Sequence, residues 1–438
     1  MLTFLPNALN QTIQLLINQN KVDFQKIFIK NGVKSMIWTL KKASFRVFHM
    51  TMKVGAMLMP FPVPKLITGA GSVKKLAEQV KSDGLSMVLV VTDRVLMDLK
   101  VPESLLASLD EQGIKYKVFS DVQPNPTINN IEDGLQHYRL NKCDGIIAIG
   151  GGSPIDCAKV IGARVVNKNR FVRQMRGTFK LWKSLPPFYA VPTTAGTGSE
   201  TTIAAVVTDS NTHEKFAISS LPLVPKYAVL DPELMLGLPP HITSTTGMDA
   251  LTHAVEAYIG LNGNRVTDKN AEDATRLIFE NLEKVYENGS DIDARNNMAL
   301  ASFYAGTAFT RAYVGYVHAI AHNMGGMYGV PHGLANAIIL PYILDYSQKE
   351  AEKKLAKLAI AGGIGKSNES PSVLAQRFID KVRTMNENMK IPTVIKELQE
   401  KDIPLIAERA LYEAHPEYPV PRIMSQEECE LLIRKLLP

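Results

Sequence analysis

The chain has 438 residues, 45% of them hydrophobic and 21% charged, which excludes a disordered, collagen-like or disulfide-stapled protein and leaves room for two or three domains. Its +6 formal charge is concentrated in residues 1–58, where eight Lys or Arg face the single acid Asp23; the other 380 residues sum to −1, so no general case for nucleic-acid binding exists. Polar residues, Gly or Pro interrupt every apolar run before the roughly 20 residues that cross a bilayer, and Cys143, Cys157 and Cys429 are too few and too scattered for a disulfide framework or a thiolate zinc site, which suits a soluble, cytoplasmic protein without a membrane partner.

Residues 1–58 are Lys-rich and Arg-poor, which argues against a transit peptide, and the first charge, Lys21, follows the apolar stretch instead of preceding it as in a secretory signal. With Met50, Met52, Met57 and Met59 available as starts, the segment reads as a dispensable basic extension or a misassigned beginning. Over residues 59–240, β-branched runs alternate with helix-like segments, the pattern of βαβ units in a parallel sheet. Strands are expected at 86–91, 115–119, 145–149, 188–191 and 227–230. After Pro239-Pro240, residues 241–438 show a 3.6-residue period, as in 273–283 and 372–385, and read as an all-helical domain.

The strand at 145–149 runs into Gly150-Gly151-Gly152-Ser153-Pro154 and a helix over 155–165. Without Cβ atoms there, backbone N–H groups can approach a pyrophosphate at the helix N-terminus. The GxGxxG spacing of the standard dinucleotide fingerprint is absent, and a plain tight turn explains the glycines equally well. A second loop, Pro192-Thr-Thr-Ala-Gly-Thr-Gly-Ser-Glu200, follows the next strand, so two small-residue loops line one edge of the sheet. Asp93, after the strand at 86–91, can accept from a ribose hydroxyl and would repel a 2′-phosphate, or can simply cap the next helix.

Four of the nine histidines, His253, His318, His322 and His332, fall within 80 residues of the helical region. Asp249 and His253 are four apart, as are His318 and His322, so each pair shares a helix face; Pro331-His332-Gly333 adds an imidazole from a turn. One carboxylate with imidazoles suits Fe(II) or Zn(II) more than magnesium or calcium. The set exceeds what an open catalytic site needs, so one histidine is free for acid–base work, and spacing does not say which.

Together, Gly150-Gly-Gly-Ser-Pro-Ile-Asp156, Pro192 to Glu200, Gly247-Met-Asp-Ala-Leu-Thr-His-Ala-Val-Glu256 and Val317-His-Ala-Ile-Ala-His322 through Gly333 resemble the iron-containing, group III alcohol dehydrogenases over roughly residues 61–437. The resemblance implies a Rossmann-like NAD-binding domain, a helical metal-binding domain of the dehydroquinate synthase-like superfamily and a cleft between them. It implies Asp249, His253, His318 and His332 as metal ligands and His322 as the proton-relay residue. Asp93, Asn125, Gly151, Gly152, Ser153, Thr193, Thr194, Thr197 and Lys215 match cofactor-contacting positions, with Asp93 favouring NAD over NADP. It further implies Fe(II), with Zn(II) as the alternative, an alcohol or aldehyde substrate, and a homodimer or larger homo-oligomer. The segment 309–316 departs from the family pattern by carrying Arg311, Tyr313 and Tyr316; Arg311 can pair a substrate carboxylate or phosphate, or bridge to an acid of the helical domain. Competing readings are a zinc enzyme of the same superfamily, a hydroxyacid-oxoacid transhydrogenase or maleylacetate reductase, and a non-catalytic metal-binding scaffold.

Overall fold

A computed structural model describes residues 24–210 and 214–438, with side chains from residue 36 onward; the first 23 residues of the basic extension lie outside it. Helix α1 (Phe24–Leu58) leads into β1 (Lys65–Thr68), α2 (Ser72–Ser82), β2 (Met87–Val91), α3 (Arg94–Asp98), α4 (Glu103–Glu111), β3 (Lys115–Phe119) and α5 (Ile128–Leu140). Then come β4 (Gly145–Gly150), α6 (Gly152–Val166), α7 (Val172–Met175), β5 (Gly177–Thr178), β6 (Phe188–Pro192), β7 (Ala204–Thr208), β8 (Lys215–Ser219) and β9 (Tyr227–Leu230).

Six strands form one sheet in the order β1-β9-β6-β4-β2-β3, parallel throughout. The five expected strands are present to within one residue at each end. Their apolar runs are continuous because both faces are covered: Leu89, Val91, Ile146, Ala148 and Ala190 enter one core, while Val88, Val90, Ile147, Ile149 and Val191 enter another. The sequence did not signal β1, an exposed edge strand, or the three-stranded sheet β5-β8-β7, whose hairpin strands expose alternate residues. From β2 the chain builds outward to β3 and returns as β4 on the opposite side of β2. The C-terminal ends of β2 and β4 therefore flank the point where the winding reverses, the place where open α/β sheets bind ligands.

The rest is helical: α8 (Pro240–Ile259), α9 (Arg265–Glu287), α10 (Ile292–Ala312), α11 (Tyr316–Tyr328), α12 (His332–Ala361), α13 (Pro371–Asn388), α14 (Ile403–Ala414) and α15 (Gln426–Arg434). Side chains set several starts. Asn264 accepts from the amides of Val266 and Thr267 at the head of α9, and Asp291 accepts from Ala294 at the head of α10, caps worth about 1 kcal/mol each. Helix α8 is buried on every side from Gly247 to Ile259, packed among α9, α10 and α12. Such a helix has no solvent face, so any polar residue on it needs a partner or a function.

No helix among the described residues is long and apolar enough to cross a membrane. The three cysteines are buried and free. Helix α1 docks on the helical region: Arg46 donates to the carbonyls of Val420 and Pro421 at 2.6 and 2.7 Å, and His49 Nε2 lies 2.8 Å from Pro416 O. Arg311 donates to Phe61 O at 2.7 Å and lies over the Phe61 ring. The cation thus closes the join between residue 61 and α10, and among the described residues it forms no ion pair with an acid of the helical domain.

Candidate active site

Asp249, His253 and Glu256 stand at i, i+4 and i+7 on α8, one polar stripe on a buried helix. The start of α11 and the start of α12 face this stripe with His318 and His332. His332 is the first residue of a 30-residue helix with Pro331 at its cap, so it is a helical position and not the turn position expected. Asp249 Oδ1 lies 3.8 Å from His318 Nε2 and 3.7 Å from His332 Nε2. These three donor atoms lie within 4.8 Å of one another.

His253 stands beside this trio and is not one of it. Its ring stacks between Phe309 and His318 at centroid distances of 4.1 and 4.5 Å, and its buried Nδ1 has no hydrogen-bond partner. An imidazole nitrogen sealed from water without a full hydrogen bond is a costly group, and a cation within its reach would relieve part of that cost.

Electrostatics divides the four histidines. Burial lowers His253 and carries His318 well below its usual range; desolvation, aided by the other histidines and opposed by Asp249, pushes His332 down to about 4. Neutral imidazoles keep the lone pair that a metal requires. His322 differs: desolvation opposes its charging, yet the Glu413 carboxylate, 2.7 Å from its Nδ1, raises it above the ordinary value. Its side chain is 42% exposed and that of His332 41%, and the two rings stack at 5.3 Å on the open side of the site.

Sequence reasoning missed the residues behind this set. Glu256, pushed up to about 7 by burial, accepts from the amides of Gly315 and Val317 and lies 2.7 Å from His318 Nδ1. It therefore aims the Nε2 lone pair of His318 at Asp249. Tyr313, at φ 68°, sits in the tight turn that delivers those amides. Asn336, one helical turn after His332, places Nδ2 2.7 Å from Asp249 Oδ1 and 3.2 and 3.1 Å from Nε2 of His318 and His332. Glu256 and Asn336 sat three and four residues from candidate ligands, a helical spacing that could have flagged them; Glu413 carried no signal in the sequence. Replacing Glu256 with alanine is expected to weaken divalent-metal binding by about 10–100-fold, measurable by competition with a chelating dye; unchanged affinity would mean that Glu256 only fills space.

The second candidate region lies at the sheet's C-terminal edge. Gly150 adopts φ +155° and Gly151 caps α6, so the chain turns there without side chains. A Cβ on Gly151 would meet Thr194 Oγ1 at 3.5 Å and one on Gly152 would meet Thr197 Cγ2 at 3.2 Å, so the two loops touch. Thr193 N bonds Gly150 O, and Thr194 Oγ1 is buried without a partner. Asn125, in the left-handed region at φ 58°, bonds Ser153 Oγ through its amide and receives Lys215 Nζ on its side chain at 2.8 Å. Asp93 caps α3 by accepting from Leu96 N at 2.9 Å, at the end of β2. The glycine cradle and the orphaned Thr194 hydroxyl fit a phosphate-bearing ligand. Lys215 lies close enough to act on the charge of both His322 and His332, which joins this region to the histidine cluster.

Comparison with known proteins places both halves of the chain in one family. Residues 63–232 match the family model for iron-containing alcohol dehydrogenase and residues 243–437 that for the C-terminal part of the Fe-containing alcohol dehydrogenase family. The chain is 40% identical over 371 residues to the 1,3-propanediol dehydrogenase of Klebsiella pneumoniae, covering 84% of this chain and 95% of that protein. It is 35% identical over 379 residues to the NAD-dependent methanol dehydrogenase of Bacillus methanolicus, covering 86% and 99%. A crystal structure of a 1,3-propanediol oxidoreductase superposes with a TM-score of 0.83 at 38% identity, covering 86% of this chain and all of that one. The sulfoacetaldehyde reductase of Bifidobacterium kashiwanohense in complex with NAD+ superposes with a TM-score of 0.79 at 27% identity, covering 86% and 98%. With both halves matched in order, the chain belongs to the iron-containing alcohol dehydrogenase family.

Proposed function

We propose that this NAD-dependent alcohol dehydrogenase interconverts a small primary or secondary alcohol and its aldehyde or ketone at a divalent metal held by Asp249, His318 and His332, with His253 as fourth donor. The observation that carries this reading is the convergence of one carboxylate oxygen and two imidazole nitrogens within 4.8 Å on three different helices. When bound, the metal polarises the substrate oxygen and the nicotinamide exchanges hydride with the substrate carbon. Fe(II) follows from the family, and Zn(II) is the alternative that this donor set serves as well.

The chain's own groups do the rest. Gly151, Gly152, Ser153, Thr193, Thr194 and Thr197 present amides and hydroxyls to the pyrophosphate, while Asn125 and Lys215 steady the nicotinamide side. Asp93 accepts from the adenosine ribose and disfavours a 2′-phosphate, in addition to its capping role. His322, with Nδ1 held by Glu413, moves the proton at Nε2 between the substrate side and solvent. The reading includes a homodimer or larger homo-oligomer in the cytoplasm.

The test is NADH oxidation with a panel of short aldehydes, using metal-stripped protein reloaded anaerobically with Fe(II) or Zn(II). Turnover restored by Fe(II) supports the reading; turnover with Zn(II) alone reassigns the metal; none with either, in protein that binds metal and NADH, rejects it for these substrates. His322→Ala is expected to lower kcat by roughly 10²-fold or more at unchanged metal content, and parent-level kcat would remove His322 from the proton path.

A further inference from the structure

Glu413 stands at the end of α14, and its Oε1 is shared: it lies 2.7 Å from His322 Nδ1 and accepts from the Tyr418 hydroxyl at 2.7 Å. Tyr418 belongs to the segment 415–421, which has no helix or strand of its own. That segment is the surface on which α1 docks. Arg46 satisfies the carbonyls of Val420 and Pro421, His49 lies against Pro416 O, and the Phe45 ring lies 5.0 Å from the His415 ring. From the inner side, Tyr316 Oη meets His415 Nε2 at 2.6 Å and Leu261 N bonds Pro419 O at 2.8 Å. The segment is thus clamped between the helical core and α1, a helix that precedes the family match beginning at residue 63.

A buried carbonyl left without its donor costs about 1–3 kcal/mol, and Arg46 serves two with charge-assisted bonds. Without Arg46 and His49, three carbonyls of the segment lose their donors, and the segment loses what holds it against α1. Tyr418 would move with it, and Glu413 would lose the hydroxyl that fixes which way its carboxylate points. We propose that Glu413 is a positioning residue for His322, and that α1, through Arg46 and His49, holds the segment that fixes Glu413. Helix α1, through Arg46 and His49, is then a working part of the enzyme, in place of the dispensable extension its composition suggests. This rests on the reading of His322 as the proton-relay residue.

The test is a double-mutant cycle in the full-length, metal-loaded protein, read as kcat and KM for NADH-driven aldehyde reduction. Glu413→Ala is expected to lower kcat by about 10²-fold and Arg46→Ala/His49→Ala by about tenfold, each with metal content and aldehyde KM near parent values. The triple variant should fall no further than Glu413→Ala, because the clamp acts only through that carboxylate. Leu40→Ser, on the exposed face of α1, should keep parent kcat. If Glu413→Ala does not fold, Glu413→Gln, which keeps the volume, carries the cycle. Parent-level kcat for Arg46→Ala/His49→Ala, or losses that multiply in the triple variant, would overturn the proposal. If His322→Ala loses turnover while the Arg46/His49 variant does not, this inference fails alone; if His322→Ala keeps parent turnover, the relay reading falls and this inference with it.

Discussion

Asp249→Ala is expected to retain the fold, lose the metal and lose at least about 10³-fold in turnover, since Lewis-acid stabilisation of a carbonyl oxygen contributes several kcal/mol and each 1.36 kcal/mol is tenfold. The residue is 2% exposed, and its Oδ1 touches both His318 and His332 across 3.8 and 3.7 Å. Among the described residues it is the anion of that trio. Without it, two neutral imidazoles remain, with Asn336 Nδ2 deprived of its best acceptor at 2.7 Å. The fold should survive, because the change removes a buried charge from a well-packed helix and leaves only a small cavity. Asp249→Asn preserves volume and an acceptor for Asn336 while removing the charge, so it separates packing from metal binding. Metal per chain by atomic emission, beside kcat for NADH oxidation, reads both. An Asp249→Ala protein that binds one metal per chain and turns over at the parent rate would exclude this site as the metal centre.

How much of this was legible in the sequence follows from which physical signal each residue emits. The strands at β2, β3, β4, β6 and β9 were legible because burial on both faces demands unbroken apolar runs, whereas β1, β7 and β8 each leave residues exposed and lose that signature. Asp249, His253, His318 and His322 could be paired by helical spacing, since an α-helix makes i and i+4 neighbours. What spacing could not tell is how those helices cross, and so it could not show that His253 would stack on His318 while His332 joined Asp249. Nor could it show that His322 meets Glu413 from α14, nearly a hundred residues away and placed there by tertiary packing alone. Charge counts over residues 1–58 likewise do not register that Arg46 has two carbonyls to bind.

Gly196→Ala is expected to leave the metal in place and still lower kcat by about 10²-fold, because it separates the two halves of the site while removing no side chain from either. Gly196 lies in the loop after β6, pressed against Thr246 on α8, three residues before Asp249. A Cβ there would stand 2.6 Å from Thr246 O and 2.9 Å from its Cα, inside any real contact and against backbone that cannot swing aside. The Gly196 carbonyl also faces the His253 ring. Here the loop backbone presses on the backbone and Cβ of Thr246, which sets the distance between the threonines on the proposed cofactor side and the candidate ligands on α8. An added methyl group forces the loop off the helix, at a cost of about 1–3 kcal/mol in stability. Hydride transfer needs its reacting atoms about 3–3.5 Å apart, and displacement by an ångström can cost about 10²-fold. The signature is therefore a split: metal content at the parent level, kcat sharply reduced, and a lowered Tm. Parent-level kcat alongside a lowered Tm would show that the loop re-seats without moving the cofactor, and that some other contact sets the spacing between the halves.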